Sequence, residues 1–431
     1  MDCALLNVDF KAKVIDMLKD VGKPPFSELP KMESVEGHAL LEDMRVVDLS
    51  TSIAGPYGTQ LLADLGATVI KVEKPGLGDD ARHWGPPFLH GQSPWYLSVN
   101  RNKHSLVLDL THSEGLQVLE MLLSDADVLV VNMTERVQEK LGIDYARLSA
   151  MFPRLIHASL TGFGLQGTRS HLPCYDLIAE GYSGVMDLTG EAQNDPQKVG
   201  TPAADLLAGQ DVAMTVLAAY VARTRSGRGV QIDVSMQASM TRFMAPRLIS
   251  YLSSNELPRR SGGKDSVIAI YQVFDTADKQ ISLGLGNDAI WRRFWVAVGQ
   301  SEVGENPHYG SNAERRTYRE EIVIKIADIL RSKPRDEWLS ILGDHRIPAG
   351  PINRLDEVAR DEDLLQQKFL YQAESANGLV PQVGLGIAIN GRTAVHRKSP
   401  PMLGEDTDVI LGEMLKLSPD QIEQLRNAGA V

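Results

Sequence analysis

The chain has 431 residues, with 44 Lys and Arg against 56 Asp and Glu, so its formal net charge is −12. This length is sufficient for two domains, or for one large domain with a sizeable core. The acidic balance gives no support for nucleic-acid binding, which depends on a basic surface. No uninterrupted apolar run approaches the ~18 residues that a membrane span needs, so we expect no membrane contact.

The use of cysteine and histidine narrows the class of protein further. Cys3 and Cys174 are the only cysteines, which is too few for a disulfide framework and suits a reducing compartment. The first residues show no basic region followed by an apolar segment, so we predict no secretory signal and a cytoplasmic protein. The ten histidines show no Cys/His spacing typical of zinc. We therefore predict no metal site.

Residues 1–40 are predicted to form a peripheral arm. Apolar residues spaced along 10–18 indicate one short amphipathic helix, which Gly22-Lys23-Pro24-Pro25 would end. Such an arm either packs on the body or on a partner subunit, or stays a partly ordered tail.

Residues 41–228 alternate short apolar strands with helices, which predicts a parallel, Rossmann-like sheet in a large α/β domain. The predicted strands are 45–49, 68–73, 105–110, 127–132 and 155–160, and the predicted helices are 56–65, 113–123 and 135–141. Ligands of such sheets lie beyond the carboxyl ends of the strands. The segments 50–56, 74–84, 132–133 and 161–167 should therefore surround one crevice.

One segment of that crevice imitates a dinucleotide fingerprint. Gly162-Phe163-Gly164-Leu165-Gln166-Gly167 matches G-x-G-x-x-G and follows a predicted strand. That motif needs a helix directly afterwards to hold a pyrophosphate, whereas the next residues are mostly polar and end in Pro173. We therefore predict no nicotinamide or flavin site.

A long apolar segment predicts a buried helix over 206–223. Pro202 excludes a helix directly before it, so Asp205 takes the N-cap position. An Asp there either caps the helix or acts as a carboxylate nucleophile. The positive end of a helix favours the ionised form of a side chain whose ordinary pKa is about 3.9, so the attacking species would exist at neutral pH. Gly200 and Gly209 would let a substrate approach closely.

Residues 229–340 predict a smaller α/β domain, and 341–431 return the chain to the large one. The predicted strands of the smaller domain are 230–236, 269–274 and 280–284, and its predicted helices are 290–298, 317–331 and 335–342. Trp291, Phe294 and Trp295 are expected to be core residues of one helix. A last helix should begin with Ser418 as its cap and run to about residue 428.

Several motifs occur in an order that resembles a known family. They occupy residues 45–49, 54–56, 65–73, 78–79, 102–103, 127–132, 153–156, 161–164, 347–352 and 401–407. Together they resemble the class III CoA-transferases, a family that also contains carnitine CoA-transferase, formyl-CoA transferase and the 2-methylacyl-CoA racemases. The resemblance spans about residues 42–428.

The resemblance implies a catalytic role for Asp205, because the catalytic aspartate of these transferases lies just before a buried helix. Its carboxylate would attack an acyl-CoA thioester to give an acyl–aspartyl anhydride, and the CoA thiolate would return to give an aspartyl–CoA thioester. The acceptor carboxylate would then attack and finally receive the CoA. No permanently bound cofactor is implied, since CoA enters as a thioester substrate.

Further site residues are carried over from the same resemblance. Positions expected at the nucleotide, pantetheine or phosphates of CoA are Ser52, Ile53, Ala54, Lys74, Arg82, Asn102, Lys103, Asn132, Met133 and Lys140. Tyr175 and Asp176 are expected near the acyl group, with core packing and a local turn as their alternatives. Each lysine could equally be a solvated surface residue.

Two alternatives stay open. A racemase would carry Gly-His-Asp where this chain has Cys174-Tyr175-Asp176, and Tyr175 is a poor replacement for a histidine acid/base. An acyl-CoA-binding subunit without turnover is the other alternative. Ile53 and the short glycine run 262–263 differ from formyl-CoA transferases, so we do not assign that substrate, and succinyl-CoA is the donor that we favour.

The family also implies an assembly. Its members form homodimers whose two chains pass through each other like links. Long extended connections around 185–205 and 343–400 would permit this arrangement here.

Overall fold

The computed structural model describes residues 25–34, 38–392 and 396–431. The helix expected at 10–18 lies outside these described residues. The remaining predicted elements fall within them.

The described residues contain twelve strands. They are β1 (Lys31–Met32), β2 (Arg45–Asp48), β3 (Thr68–Glu73), β4 (Lys103–Val107), β5 (Val128–Val131), β6 (Ile156–Thr161), β7 (Gln231–Ser235), β8 (Tyr271–Asp275), β9 (Gln280–Gly284), β10 (Ala349–Pro351), β11 (Leu370–Ser375) and β12 (Gly378–Val383).

The helices of the described residues are mostly short. The α-helices are Ala54–Asp64, Pro94–Ser98, Ser113–Ser124, Glu135–Leu141, Tyr145–Met151, Asp176–Ser183, Val185–Leu188, Ala203–Ser226, Met236–Phe243, Ala245–Ser254, Asp288–Ala297, Ser301–Gly304, Asn312–Thr317, Arg319–Leu330, Arg335–Asp344, Leu355–Val358, Glu362–Gln366, Thr407–Val409 and Pro419–Asn427. Shorter 3-10 turns occupy Pro25–Glu28, Ala39–Leu41, Asp80–His83 and Pro307–Tyr309, and a π turn occupies Ile410–Met414.

The chain divides into two compact units. The larger unit comprises Met1–Cys174, Ala204–Ser239 and Asp356–Val431, and the smaller unit comprises Tyr175–Ala203 and Met240–Leu355. The predicted bounds of the smaller domain were 229–340, whereas the smaller unit also includes the earlier segment Tyr175–Ala203, and Ala204–Ser239 belongs to the larger unit.

A six-stranded parallel sheet forms the centre of the larger unit, in the order β4-β3-β2-β5-β6-β7. The predicted Rossmann-like α/β class is therefore confirmed. The chain runs outwards from β2 on one side and from β5 on the other, so the strand order reverses between these two strands. In open parallel sheets, ligands bind at such a switch point.

The core of this unit follows from the residue types in its strands. All four residues of β5 are buried valines and leucine, as expected for a strand covered on both faces. The helix Ser113–Ser124 contributes Val118, Leu119 and Leu122 to the hydrophobic core that contains Leu129 and Val131 of β5. Burying these apolar side chains stabilises the layer of helices on the sheet.

One predicted strand belongs to another sheet than expected. The strand that we assigned to the smaller domain at 230–236 is β7, the edge strand of the six-stranded sheet, and it pairs with β6 from Gln231 opposite His157 to Ser235 opposite Thr161. Alternation of apolar and polar residues predicts a half-buried strand but does not identify its partner.

The segment 343–400 was expected to be a long extended connection, and this was wrong. It contains β10, two short helices and the antiparallel hairpin β11–β12, to which β1 adds in parallel. Short strands separated by a turn at Ala376-Asn377 were not recognised because Pro381 interrupts the pattern.

The smaller unit has its own antiparallel sheet, in the order β10-β9-β8. Trp291, Phe294 and Trp295 are buried on the helix Asp288–Ala297 and pack edge to face, which confirms them as core residues.

The helix that follows Pro202 spans Ala203–Ser226, and we call it the Asp205 helix. It begins three residues earlier than predicted, so Asp205 lies in its first turn and the prediction of an N-cap was wrong. Ala203 and Ala204 are strong helix formers, and Pro202 is tolerated directly before a helix start.

The Asp205 helix is also less buried than predicted. Its inner face, which includes Val212 and Val216, is buried, whereas Met214 is 52% and Val221 57% exposed. By length and composition alone this helix could cross a bilayer, but the core helix of a soluble protein satisfies the same criteria, and 44% of its most apolar stretch is buried within the protein.

Candidate active site

Two helices of the larger unit cross in close contact at a pair of glycines. A Cβ atom added to Gly58, on the helix Ala54–Asp64, would lie 2.6 Å from the carbonyl oxygen of Gly209 on the Asp205 helix. A Cβ added to Gly209 would collide with the carbonyl oxygen of Ala54. Gly209 therefore serves helix packing, and our expectation that it leaves room for a substrate was wrong. Gly200 has open space around it.

This crossing determines where Asp205 lies. Asp205 and Gly209 are four residues apart on one helix, so they share a face and are separated by about 6 Å along the axis. Gly209 contacts the start of the helix Ala54–Asp64, and Asp205 lies one turn before Gly209 on the same face of its own helix. The Asp205 side chain is half-buried. The helix that carries the predicted nucleophile therefore contacts the helix that begins with the predicted CoA-binding residue Ala54.

The loops at the switch point are joined by one amide side chain. Asn132, directly after β5, donates its Nδ2 to the carbonyl oxygen of Thr51 at 2.8 Å and accepts the Thr51 N–H at 3.1 Å. Both hydrogen bonds engage the loop that follows β2. The adjacent Met133 packs against the sheet core. The predicted residues 52–54 and 132–133 thus meet at the point where the strand order reverses.

The turn at Ser52 has an uncommon backbone that a buried carboxylate supports. Ser52 has φ of 70°, a left-handed conformation that non-glycine residues rarely adopt. Asp79 Oδ1 accepts the N–H groups of Ser52 at 2.8 Å and Ala81 at 2.9 Å. Asp79 Oδ2 lies 2.8 Å from Lys71 Nζ, and both side chains are fully buried. Asp79 therefore fixes the turn from which Ile53 and Ala54 enter their helix.

A second buried ion pair lies beneath the same turn. Lys103 Nζ lies 3.1 Å from Asp48 Oδ2 and also donates to the carbonyl oxygen of Pro56 at 2.8 Å. Thr59 Oγ1 donates to Asp48 at 2.6 Å, and Ser50 also donates to this carboxylate. The Lys71 ammonium donates to the carbonyl oxygen of Ser50 at 2.8 Å.

The protonation states of this network follow from its charges. Burial acts to raise the pKa of Asp48, but Lys103, Lys71 and the two hydroxyl donors outweigh it and lower that pKa to about 2. Burial lowers the pKa of Lys103 to about 8, against the attraction of Asp48. The pKa of Lys71 is raised because Asp79, Asp48 and Glu73 together outweigh its burial. Asp48 is therefore ionised at neutral pH.

Arg82 is held entirely by protein groups. Its Nε and Nη2 lie 2.7 Å from the two carboxylate oxygens of Glu73, and Nη2 also donates to the Tyr96 hydroxyl at 2.6 Å. Both Nη atoms donate to the carbonyl oxygen of Pro401 at 3.2 Å. The guanidinium lies 3.7 Å above the centre of the Tyr96 ring. Arg82 thus fixes the loop after β3 from beneath.

Asn102 is likewise bound within the larger unit. Its Nδ2 donates to Asp64 Oδ1 at 2.8 Å, and its Oδ1 accepts the N–H groups of Arg397 and Lys398 at 2.8 and 3.0 Å. The structure therefore places Arg82, Asn102 and Lys103 under the crevice loops and not on their surface.

Two predicted cations are exposed instead. Lys74 follows β3 and pairs with Asp80 at 2.9 Å. Lys140 lies in the last turn of the helix Glu135–Leu141 and lines a cavity of about 790 Å³. Arg136, His171 and Leu165 line the same cavity, which lies beside the loops after β5 and β6. Glu135 and Glu139 line this cavity too, so its cationic side chains share the groove with two carboxylates.

The last two predicted residues begin a helix of the smaller unit. Tyr175 directly precedes the helix Asp176–Ser183 and is 65% exposed, so core packing does not explain it. Asp176 is the first residue of that helix, where a carboxylate complements the helix dipole.

The loop 162–167 is not followed directly by the helix that a dinucleotide site requires. No helix begins between β6 and Asp176 in this described part of the chain, and Leu165 N–H donates to Asp233 Oδ2 at 2.9 Å. The described ranges 25–34, 38–392 and 396–431 also hold no group of three or more His, Cys, Asp or Glu side chains arranged for a metal ion.

Sequence reasoning missed the supporting residues Lys71, Asp79 and Asp48. A signal was present, because β3 reads Thr68-Val69-Ile70-Lys71-Val72-Glu73 in a sheet whose central strands are otherwise apolar. Charged residues inside such a strand must be buried and paired. Their partners could not be named, since they come from distant loops.

Known proteins resemble this chain over most of its length. The family described as CoA-transferase family III matches residues 41–407. The chain is 32% identical to succinyl-CoA:glutarate CoA-transferase of Mus musculus over 408 residues, which cover 94% of this chain and 92% of that protein. It is 34% identical to succinate–glutarate CoA-transferase of Agrobacterium fabrum, with 87% of this chain and 95% of that protein covered.

A solved structure agrees with these sequence relatives. The crystal structure of a CAIB/BAIF family protein from Brucella suis has a TM-score of 0.75 and 32% sequence identity, and the match covers 86% of this chain and 98% of that chain. The chain therefore belongs to CoA-transferase family III, as its motifs predicted. It is an enzyme that acts as a CoA-transferase.

Proposed function

We propose that the enzyme moves CoA from an acyl-CoA donor, succinyl-CoA in the first instance, to a small organic dicarboxylate through covalent intermediates on Asp205. The two relatives described above are named for CoA transfer between the acids succinate and glutarate, which supports this pair of acids. Those names are all of CoA-transferases, so the racemase and the inactive binding subunit are not favoured.

The covalent steps balance without any further reactant. The Asp205 carboxylate attacks the donor thioester carbonyl, an anhydride C–O bond forms, and the C–S bond breaks to release the CoA thiolate. The thiolate attacks the Asp205 carbonyl, which forms the aspartyl–CoA thioester and releases the donor acid. The acceptor carboxylate displaces the thiolate again, and the thiolate then attacks the acceptor carbonyl, which restores Asp205. CoA is a substrate in this scheme, and no permanently bound cofactor takes part.

The observation that carries the proposal is the glycine crossing between the two helices. Asp205 is one helical turn from Gly209, whose backbone lies against Ala54 on the other helix, and this supports a nucleophile near the switch point of the sheet. A carboxylate in the first turn of a helix is stabilised in its ionised, nucleophilic form.

The CoA-binding residues are proposed in two groups. Ser52, Ile53, Ala54, Asn132 and Met133 would contact the pantetheine at the switch point. The exposed Lys74 and Lys140 would face the phosphates, and Tyr175 and Asp176 would lie near the acyl group. Arg82, Asn102 and Lys103 would act by holding the crevice loops, since their polar atoms are occupied within the protein.

Assembly and compartment are also proposals. A homodimer with interlocked chains is supported by the helix Ala245–Ser254, which buries no residue within the single chain although Leu248, Ile249 and Leu252 are apolar. A helix of this kind gains stability only when another surface covers it. The low cysteine content supports the cytoplasm as compartment.

The test is an assay of CoA exchange. Purified wild type and the variant Asp205→Ala are each given succinyl-CoA with a panel of carboxylic acids, and the new acyl-CoA species are identified by mass spectrometry. We expect transfer to a small dicarboxylate by the wild type and a loss of roughly 10³-fold or more in kcat by the variant, as found when covalent nucleophiles are removed. Asp211→Asn serves as a control on the same helix. Undiminished transfer by Asp205→Ala would contradict the proposal.

A further inference from the structure

A buried glutamate of the smaller unit has no role in the chemistry above. Glu180 lies on the helix Asp176–Ser183, and its side chain is fully buried. Its Oε2 accepts the backbone N–H of Val199 at 2.9 Å. Its Oε1 is buried as well, with no hydrogen-bond partner of normal geometry among the described residues. Leaving an ionised carboxylate oxygen in this state is costly, which favours the protonated form of Glu180.

The neighbour that can share that proton is Asp176. The two residues are four apart on one helix, so their side chains lie on the same face. Burial raises the pKa of Glu180, and the Asp176 carboxyl beside it raises it too, whereas the Val199 N–H and Lys198 lower it. Two adjacent carboxyl groups resist being ionised together. Protonated Glu180 can therefore donate from Oε1 to the Asp176 carboxylate.

The other contact of Glu180 leads along the chain toward Asp205. Val199 precedes Asp205 by six residues. The segment that contains Val199 is also held by a second hydrogen bond, from Gln197 N–H to the carbonyl oxygen of Met186 at 3.2 Å. Past these contacts, Ala203 N–H donates to the carbonyl oxygen of Thr201 at 2.8 Å. Glu180 thus anchors the residues that enter the first turn of the Asp205 helix.

We propose that Glu180 is a positioning residue for the transfer reaction, which as a neutral carboxyl joins the Asp176 helix to the segment 197–202 and so fixes where the Asp205 helix begins. It touches no reacting atom and acts through the Val199 N–H and the Asp176 side chain. This inference rests on the proposed nucleophilic role of Asp205.

Two substitutions of Glu180 distinguish the effect of its hydrogen bonds from the effect of its side-chain volume. Glu180→Gln keeps an oxygen for the Val199 N–H and offers an amide N–H to Asp176 in place of the shared proton. Glu180→Leu fills a similar volume and makes neither contact. We expect Glu180→Gln to keep kcat within about threefold of wild type. Glu180→Leu should lose about 10- to 100-fold in kcat, the usual effect of misplacing a reacting group, with a much smaller change in the KM for acyl-CoA.

The pH profile gives a second readout that does not depend on the leucine variant. In the wild type, kcat should fall as the pH rises through the raised pKa of Glu180, because the ionised side chain repels Asp176 and is only partly balanced by Lys198. Glu180→Gln cannot ionise, so its profile should lack that fall. Identical profiles for wild type and Glu180→Gln would overturn the proposal.

Trp338→Phe is the control that shows whether destabilising the smaller unit is by itself enough to lower kcat. It loses the hydrogen bond from Trp338 Nε1 to the carbonyl oxygen of Leu330, which is 2.8 Å long and lies in the core of the same unit. Its Tm should fall while its kcat stays at the wild-type level. Wild-type kcat in Glu180→Leu, or an equal loss in both Glu180 variants, overturns the inference. Activity retained in Asp205→Ala would instead refute the proposed function itself.

Discussion

At the scale of single residues, the crevice is built on charges that water does not reach. Lys103 and Asp48 are both fully buried, and each is held by at least two further polar groups. Burying an ion pair costs desolvation energy, which the pair and its hydrogen bonds offset only while both partners are present. The stability of the switch-point loops therefore depends on buried residues whose polar atoms are bound within the protein.

Removing one of these charges should destabilise the fold more than it weakens binding. Lys103→Met leaves the Asp48 carboxylate buried without its lysine partner. The free energy of unfolding should therefore fall by about 3–5 kcal/mol in urea titrations. The double variant Asp48→Asn/Lys103→Met removes both charges and should lose less than the sum of the single variants. A Lys103→Met protein of wild-type stability, with only a raised KM for CoA, would instead show that Lys103 contacts the ligand.

Acid stability should depend on Asp406, which joins the segment after residue 396 to β4. Burial acts to raise its pKa, but His104, Lys398 and the Ser105 N–H outweigh this and lower it to about 2. Its folded pKa is thus below the ordinary 3.8, so its contribution to stability is present above 3.8 and is lost as the pH falls through about 2. Asp406→Asn should lower stability at pH 7 and flatten the loss of Tm between those pH values.

The exposed Asp408 provides the control for this measurement. Asp408→Asn makes the same change in net charge, but its side chain is 67% exposed. Its acid unfolding should follow that of the wild type. A wild-type acid profile in Asp406→Asn would contradict the account of that carboxylate.

At the scale of elements, the active site depends on how closely two helices approach. Gly58 and Gly209 let the helix Ala54–Asp64 and the Asp205 helix pack backbone to backbone. This contact joins the helix of the proposed nucleophile to the helix that follows the proposed CoA-binding turn. The hydrogen bonds between Asn132 and Thr51 connect that turn to the neighbouring strand.

A single methyl group should disturb this crossing. Replacing a helical glycine by alanine is normally stabilising by about 0.4–1 kcal/mol. At Gly209 the added Cβ would collide with the backbone carbonyl of Ala54, which has no flexible end to move away. We expect Gly209→Ala to lose about 1–3 kcal/mol in the free energy of unfolding, and also to lower kcat because Asp205 is displaced.

Gly343→Ala is the matched control for that substitution. Gly343 lies in the helix Arg335–Asp344, and no atom lies within 4 Å of the position that an added Cβ would take. This variant should gain stability and keep wild-type kcat. Equal behaviour of the two alanine variants would show that the close crossing does not limit the site.

The sequence predicts an element well when its signal is local, and poorly when the element depends on residues far apart in the chain. Strand β3 and the helix Glu135–Leu141 have the predicted bounds, because apolar periodicity and glycine or proline ends are local signals. The partner sheet of β7 and the glycine crossing involve residues far apart in sequence, so no local pattern revealed them. Asp205 was singled out by its position before a helix and by the family resemblance, and its catalytic role stays a prediction, whereas its place within the first turn of the helix was missed.

At the scale of the whole molecule, apolar surface is left exposed on the smaller unit. Leu248, Ile249 and Leu252 lie on one side of the helix Ala245–Ser254, and Leu252 is 67% exposed. If a second chain covers this helix, Ile249→Glu/Leu252→Glu should weaken the dimer by placing charges in an apolar interface. Light scattering over a dilution series should show dissociation at higher concentrations than for the wild type.

The control for this change is Leu355→Glu. Leu355 is 88% exposed at the start of the short helix Leu355–Val358, so a charge there should leave the assembly unchanged. A protein whose mass in solution equals one chain, for wild type and variants alike, would contradict the proposed homodimer.

Isotope transfer into the protein tests the central claim most directly. In the proposed sequence, one oxygen of the acceptor acid stays on the Asp205 carboxylate when CoA leaves for the acceptor carbonyl. A turnover with the acceptor acid labelled by oxygen-18 in its carboxylate should therefore add about 2 mass units to the peptide that contains Asp205, in proportion to the enzyme that has turned over. Continued formation of the acceptor's CoA thioester with no oxygen-18 in that peptide would contradict a covalent role for Asp205.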